Sequence, residues 1–76
     1  HVELTTLIVP GENDSEEEME REARWIASLD RKIPLHVTRF FPQYRMADKA
    51  PTPVERVYRL RDVAAQWLRY VYVGNC

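Results

Sequence analysis

Apolar and β-branched residues alternate with polar ones at the start of the chain and predict a first strand over Val2–Val9. Three successive apolar residues near its end are typical of a strand covered on both faces, as in a parallel sheet. Alternation divides the strand into two faces, one with Leu4, Thr6 and Ile8 and the other with Thr5, Leu7 and Val9. Gly11 and the polar residues 13–15 then predict a turn that opens a helix.

The first helix is predicted to start just after a capping residue, for which Asn13, Asp14 and Ser15 are the candidates. Ser15 and Glu18 have the spacing of a capping box, and glutamates fill the first turn, where the helix dipole favours negative charge. Apolar residues then recur at helical spacing and predict a buried stripe of Met19, Ala23, Ile26 and Leu29. The following polar residues, 30–32, end the helix.

The second helix has an equally clear predicted start. Thr52 would be its N-cap, Pro53 its first helical residue and Glu55 the acidic member of a capping box. Its predicted buried stripe consists of Val57, Leu60, Ala64 and Trp67, and the helix should end near Gln66.

Two further strands are predicted, Leu35–Phe40 and Arg69–Val73, with a long loop over residues 41–51 after the first of them. The order is β-α-β-α-β without internal repeats. We therefore expect an α/β fold, with a three-stranded parallel sheet and both helices on one of its faces. The whole chain, residues 1–76, would form a single domain or a fragment of one.

The second face of the predicted sheet has no element of the chain to cover it. We expect this face to carry Leu4, Thr6, Ile8, His36, Thr38, Tyr70 and Tyr72. Parallel sheets are normally covered on both faces. Either the rest of a barrel or a second copy of the chain should therefore lie on it, and the isolated chain should form homo-oligomers.

Composition narrows the classes of function. With 45% hydrophobic residues, 30% charged residues and a net charge of −1, the chain is typical of a globular domain and unsuited to nucleic-acid binding. No apolar run is long enough to predict a membrane span, so we expect a cytoplasmic protein. Cys76 is the only cysteine, which excludes an internal disulfide and a cluster bound by this chain alone. The chain begins at His1 instead of Met, directly before a predicted strand, and we therefore expect a fragment or a processed piece.

Four ordered segments of the sequence resemble a known family. They are Thr6-x-Ile8-x-Pro10-x-x-Asn13, the stretch His36–Tyr44, the phrase Pro51-Thr52-Pro53 and the ending Leu68–Asn75. Together they resemble the C-terminal part of radical S-adenosylmethionine enzymes related to the pyruvate formate-lyase activating enzyme. The subgroup called AmmeMemoRadiSam system radical SAM enzymes is the most similar.

The resemblance implies a piece of a partial (β/α)6 barrel similar to a TIM barrel. In that family a [4Fe-4S] cluster on a Cys-x3-Cys-x2-Cys motif cleaves S-adenosylmethionine reductively, which makes the parent an oxidoreductase. The motif is absent from this chain. One cysteine cannot supply three thiolate ligands, so we expect the chain alone to be inactive, without a catalytic or metal-binding residue of its own.

The resemblance also implies cofactor-binding residues. The motif that contacts the adenosyl group in the family falls on Thr6, Ile8, Pro10 and Asn13, and the resemblance implies that Thr6, Ile8 and Asn13 bind the cofactor. The alternative is that Thr6 and Ile8 are sheet packing and that Asn13 is a turn residue.

His36, Arg39 and Tyr44 lie on or just after the strand that lines the family's pocket. Arg39 would suit the carboxylate of the cofactor's methionyl group, because guanidinium groups bind carboxylates in a bidentate manner. Alternatively, His36 is a hydrogen-bonded structural residue, Arg39 pairs with an acid and Tyr44 packs within the loop. The alternative function for the whole chain is a non-enzymatic βαβαβ module that self-assembles through its uncovered sheet face.

Overall fold

A computed structural model describes residues 2–40 and 51–74 of the chain. It contains a β-α-β-α-β unit with β1 at Leu4–Ile8, α1 at Glu16–Leu29, β2 at Leu35–Arg39, α2 at Val54–Ala65 and β3 at Val71–Gly74. The strands pair in the order β1-β2-β3 and both pairs are parallel. This confirms the predicted α/β fold class. The predicted loop over residues 41–51, with Tyr44, lies outside the described residues apart from its last residue.

Both helices pack on the same face of the sheet. Leu35 and Val37 of β2 are fully buried in one apolar cluster with residues of both helices. The other members of this core are Ile8, Met19, Ala23, Ile26, Val57, Leu60, Ala64 and Leu68. Burial of each large side chain stabilises the fold by about 1.5–3 kcal/mol, so this single layer of contacts holds the helices to the sheet.

Helix α1 starts where the sequence predicts. The backbone N–H of Glu18 donates to Oγ of Ser15 at 3.1 Å, and three glutamates occupy the first turn. Met19, Ala23 and Ile26 are buried as predicted. The prediction that Leu29 is also buried is wrong, since Leu29 ends the helix beside a surface groove and is 61% exposed.

The two faces of β1 are the reverse of the predicted ones. Ile8 is fully buried, and the Thr6 hydroxyl donates to the Glu22 carboxylate of α1. Leu7, which was expected under the helices, is 46% exposed. Both faces of β1 carry apolar residues, so alternation alone could not distinguish them. The pairing register decides, because it places Leu4 beside the buried Leu35.

Helix α2 begins one residue later than predicted. Pro53 is its N-cap and no side chain bonds to the first turn, so the predicted capping role of Thr52 is wrong. At the other end, Trp67 packs partly buried against the core and Leu68 is 4% exposed. The Arg24 guanidinium lies 5.2 Å from the centroid of the Trp67 ring, a cation–π contact that covers the indole from the solvent side.

Candidate functional site

The carboxyl ends of β1 and β2 are joined by a hydrogen-bonded cluster that we call the carboxyl-edge clasp: Ile8, Arg39, Phe40 and Thr52. Thr52 is fully buried, and its hydroxyl donates to the Ile8 carbonyl while accepting from the Phe40 N–H at 3.2 Å. The Thr52 N–H donates to the Phe40 carbonyl at 3.1 Å. Arg39 Nε donates to the Thr52 carbonyl at 2.6 Å. The entry to α2 is thus held against the ends of two strands.

The loop from β1 to α1 is held by the side chain of Asn13. Its Oδ1 accepts from the Val9 N–H at 2.7 Å and its Nδ2 donates to the Leu7 carbonyl at 2.8 Å. Gly11 makes the turn with a φ of 79°, a conformation that suits glycine. Because the Ile8 carbonyl points toward β2 and its partner Thr52, the neighbouring backbone groups point outward. Asn13 therefore covers the outer edge of β1.

The sheet face opposite the helices is uncovered by any described element. We call it the open face, and the register places its residues in two rows, Thr5 with His36 and Tyr72, and Leu7 with Thr38 and Gly74. His36 Nε2 lies 2.6 Å from Oε1 of Glu3, and the His36 and Tyr72 rings lie 5.3 Å apart between centroids. The open face therefore combines a hydrogen-bonded histidine and carboxylate, the hydroxyl groups of Thr5, Thr38 and Tyr72, and exposed apolar surface.

Exposed charges on the helical side pair between α1 and α2. Oε1 of Glu16 lies 3.2 Å from Nη2 of Arg59, and Oε2 of Glu16 lies 3.9 Å from Nη1 of Arg56. The hydrogen bond to Glu16, with the charge of that carboxylate, raises the pKa of Arg59 above its ordinary value. This exposed pairing joins the helices and lies on the side of the sheet opposite to the open face.

The structure separates the residues that the sequence brings together as a cofactor site. Thr6 and Ile8, which were expected on the uncovered face, point toward the helices, so that expectation is wrong. Arg39 belongs to the carboxyl-edge clasp and Asn13 to the outer edge of β1. Of the predicted set, His36 lies on the open face, and Tyr44 is outside the described residues.

Sequence reasoning overlooked Thr5 and Leu7, which line the open face, and Thr52, which joins the strand ends. No local signal places the first two, because both faces of the predicted strand Val2–Val9 carry apolar residues. The observed register, which sets Leu4 beside Leu35, puts Thr5 and Leu7 on the open face. No local pattern indicates that Thr52 joins the strand ends, because its hydrogen-bond partner Ile8 lies far away in the sequence.

The described ranges offer no group of three histidine, cysteine, aspartate or glutamate side chains that could hold a metal ion. No helix within them has the length and apolar character needed to span a membrane.

These features define a class of protein, an α/β unit with one covered and one open sheet face. In an alignment of length 76 that covers 97% of the chain, the chain is 41% identical to Uncharacterized protein MJ0808 of Methanocaldococcus jannaschii. The chain spans 23% of the length of that relative. No family model matches the chain, and no solved structure matches it. The sequence of this unit thus has a counterpart within a much longer archaeal protein.

Proposed function

We propose that the chain is the C-terminal part of a radical S-adenosylmethionine enzyme related to the pyruvate formate-lyase activating enzyme. The observation that carries the proposal is the parallel β-α-β-α-β unit with both helices on one face and the other face open. Such a unit has the construction of a segment of barrel wall, with helices outside and the open face inside. The four sequence segments that resemble the family support the same assignment.

In this proposal the open face is part of the inner wall of the parent barrel. Thr5, His36 and Thr38 provide hydroxyl and imidazole groups toward the interior, and these suit the ribose and adenine of S-adenosylmethionine. The carboxyl ends of the strands, where ligands bind in α/β barrels, carry the Asn13 loop and the carboxyl-edge clasp. Asn13 and the clasp would hold the rim of the pocket in shape.

Arg39 has a different proposed role from the one that the resemblance implies. Its Nε donates to the Thr52 carbonyl at 2.6 Å, and its position in β2 is level with Ile8 on the helical side. We therefore assign Arg39 to the support of the rim, and the cofactor carboxylate to another part of the parent. Thr6 and Ile8 are likewise assigned a supporting role, because they hold β1, the strand that carries Thr5 and Leu7, against the helices.

The chain does not fit the [4Fe-4S] cluster by itself. Cys76 is its only cysteine, whereas the cluster needs three thiolates from the protein in this family. Chemistry at a cluster, with reductive cleavage of S-adenosylmethionine, would be supplied by the remainder of a cytoplasmic parent protein. The isolated chain would be inactive.

The experiment is to read the coding sequence upstream of His1 for Cys-x3-Cys-x2-Cys, and to purify the longer product without oxygen. A brown protein that converts S-adenosylmethionine to 5′-deoxyadenosine and methionine supports the proposal. A longer product without this motif, or one that binds no iron after reconstitution, overturns it. The same purification of the 76-residue chain serves as the control, and we expect it to bind no cluster.

A second candidate function is a non-enzymatic module that self-assembles through the open face. It is favoured by exposed apolar residues on that face, with Leu7 46% and Tyr72 49% exposed. Leu7→Lys should then dissociate the assembly while the helices stay folded, as measured by sedimentation velocity and circular dichroism. A monomeric unmutated chain at high concentration would contradict this candidate. Ile8→Lys is unsuitable for the test because Ile8 lies in the core.

A further inference from the structure

Helix α1 has one flank that faces α2 and another that points away from it. Glu16 marks the first flank, since its carboxylate pairs with Arg59 of α2. Residues 22, 25 and 29 share a face of the helix, and the spacing of about 3.6 residues per turn directs this face away from Glu16. The Glu22 carboxylate accepts from the Thr6 hydroxyl, so the face lies on the side of β1, an edge strand of the sheet. We call it the outer flank of α1, and its members are Glu22, Trp25 and Leu29.

The outer flank exposes two large apolar side chains. Trp25 is 60% exposed and Leu29 is 61% exposed, the two highest values among the large hydrophobic side chains of the described residues. The two residues are four positions apart, so they are neighbours on the helix surface. A single exposed apolar residue needs no explanation. Two in a row at this spacing form a ridge of the kind that packs into the groove of a second helix.

The corresponding flank of α2 is covered by polar groups. Tyr58 and Arg61 lie on the side of α2 that points away from Glu16. The Arg61 guanidinium lies 5.2 Å from the centroid of the Tyr58 ring, and its Nη2 lies 2.8 Å from Oδ1 of Asp62. Within residues 2–40 and 51–74 no cation lies over the Trp25 ring in this way. The flank of α2 is thus suited to solvent, and the outer flank of α1 is suited to a protein neighbour.

The topology indicates where such a neighbour comes from. The strands follow the order β1-β2-β3, and with right-handed connections any earlier unit of the same sheet adds on the β1 side. The chain spans 23% of the length of its archaeal relative, so a parent of that length contains further units. A helix that precedes β1 in the parent would lie beside the outer flank of α1.

We propose that the outer flank of α1 is the docking surface for an amphipathic helix of the longer parent, in the segment that precedes this chain. Trp25 and Leu29 pack into the apolar stripe of that helix. The proposal shares with the proposed function only the premise that the chain belongs to a longer protein. A parent without cluster chemistry would use the outer flank in the same way, so iron binding and coverage of the flank are separate results.

The test is hydroxyl-radical footprinting, read by mass spectrometry, of the 76-residue chain and of the longer product that includes the sequence upstream of His1. We expect Trp25 to be oxidised several-fold more slowly in the longer product, because the docked helix excludes solvent from its ring. Tyr58 is the matched control, since its partly exposed ring lies on the flank of α2 and should react equally in both proteins. Equal rates at Trp25 would overturn the proposal, as would a coding sequence without an upstream segment.

Trp25→Lys provides an independent measurement. In the 76-residue chain it should leave the midpoint of urea unfolding almost unchanged, because the side chain is already 60% exposed. In the longer product it should lower the midpoint, because it buries a charge in an apolar interface. Tyr58→Lys is the control and should have the same small effect in both proteins.

The same effect of Trp25→Lys in both proteins would contradict the docking surface. A second copy of the chain is the other occupant that the footprinting can detect. If Trp25 is already protected in the 76-residue chain and dilution exposes it, a second copy covers the outer flank and the proposed helix is wrong.

Discussion

The carboxyl and amino edges of the same small sheet are built in opposite ways. At the carboxyl edge, Thr52 and Asn13 direct their polar groups into internal hydrogen bonds with strand backbone. At the amino edge, Leu29, Tyr70 and Lys32 face a solvent-filled groove. Side chains that already have internal partners maintain the shape of a site, while exposed ones are available to a ligand. The carboxyl edge is thus fixed in shape by internal hydrogen bonds, whereas the amino edge leaves its side chains exposed.

The largest expected effect comes from the two faces of β1. Ile8→Ala should lower the free energy of unfolding by about 4 kcal/mol because it leaves a cavity in the core. Leu7→Ala should lower it by less than about 1 kcal/mol, since Leu7 is already 46% exposed. Urea unfolding of the two variants measures the difference. If the alanine variant does not fold, Ile8→Val replaces it, and this variant should lower the free energy of unfolding by about 1 kcal/mol. Equal losses would show that the faces are assigned wrongly.

The carboxyl-edge clasp gives the next largest effect. Thr52→Ala would leave the Ile8 carbonyl and the Phe40 N–H without their side-chain partner, at a cost of roughly 3 kcal/mol. Thr52→Ser keeps the hydroxyl and should cost only about 1 kcal/mol for the lost methyl group. The midpoint of urea unfolding separates the two variants. If serine proves as harmful as alanine, packing and not hydrogen bonding accounts for the role of Thr52.

Asn13 should contribute less, because its bonds lie near solvent. Asn13→Ala is expected to cost about 1–2 kcal/mol, and to increase hydrogen exchange at the Val9 amide, which loses its acceptor. Asn13→Asp retains that acceptor and loses the donor to the Leu7 carbonyl. It should therefore leave Val9 more protected than alanine does. Fast exchange at Val9 in the unmutated chain would contradict the hydrogen bond.

The smallest effect is expected on the helical side, where Arg59 pairs with Glu16. Arg59→Gln should change stability only slightly, and the change should disappear at high salt because exposed ion pairs are screened. The pKa of Arg59 is raised, so its contribution is complete below its ordinary pKa and is lost only as pH rises through the higher folded value. Near neutral pH this contribution is therefore fully present, and Arg59 should add no pH dependence to stability there. A salt-independent loss in thermal unfolding would point to packing of the arginine stem.

Local patterns determined much of this protein. The order and type of all five elements follow from periodicity and turn residues, and the Ser15 cap and six of the eight predicted buried helix positions are confirmed. These features depend on residues close together in the chain, where hydrogen-bond and side-chain geometry repeat with a fixed period. The parallel sheet with helices on one face follows from the same order of elements.

Tertiary structure alone decided the features that bear on function. Both faces of β1 are apolar, so only the register that sets Leu4 beside Leu35 assigns Thr5 and Leu7 to the open face. Thr52 has the sequence context of a helix cap, yet the approach of Ile8, 44 positions away, makes its hydroxyl a buried link between strand ends. Leu29 continues a buried periodicity, but as the last residue of α1 it is 61% exposed. In each case the outcome depends on which distant residue comes alongside, and local periodicity carries no information about that partner.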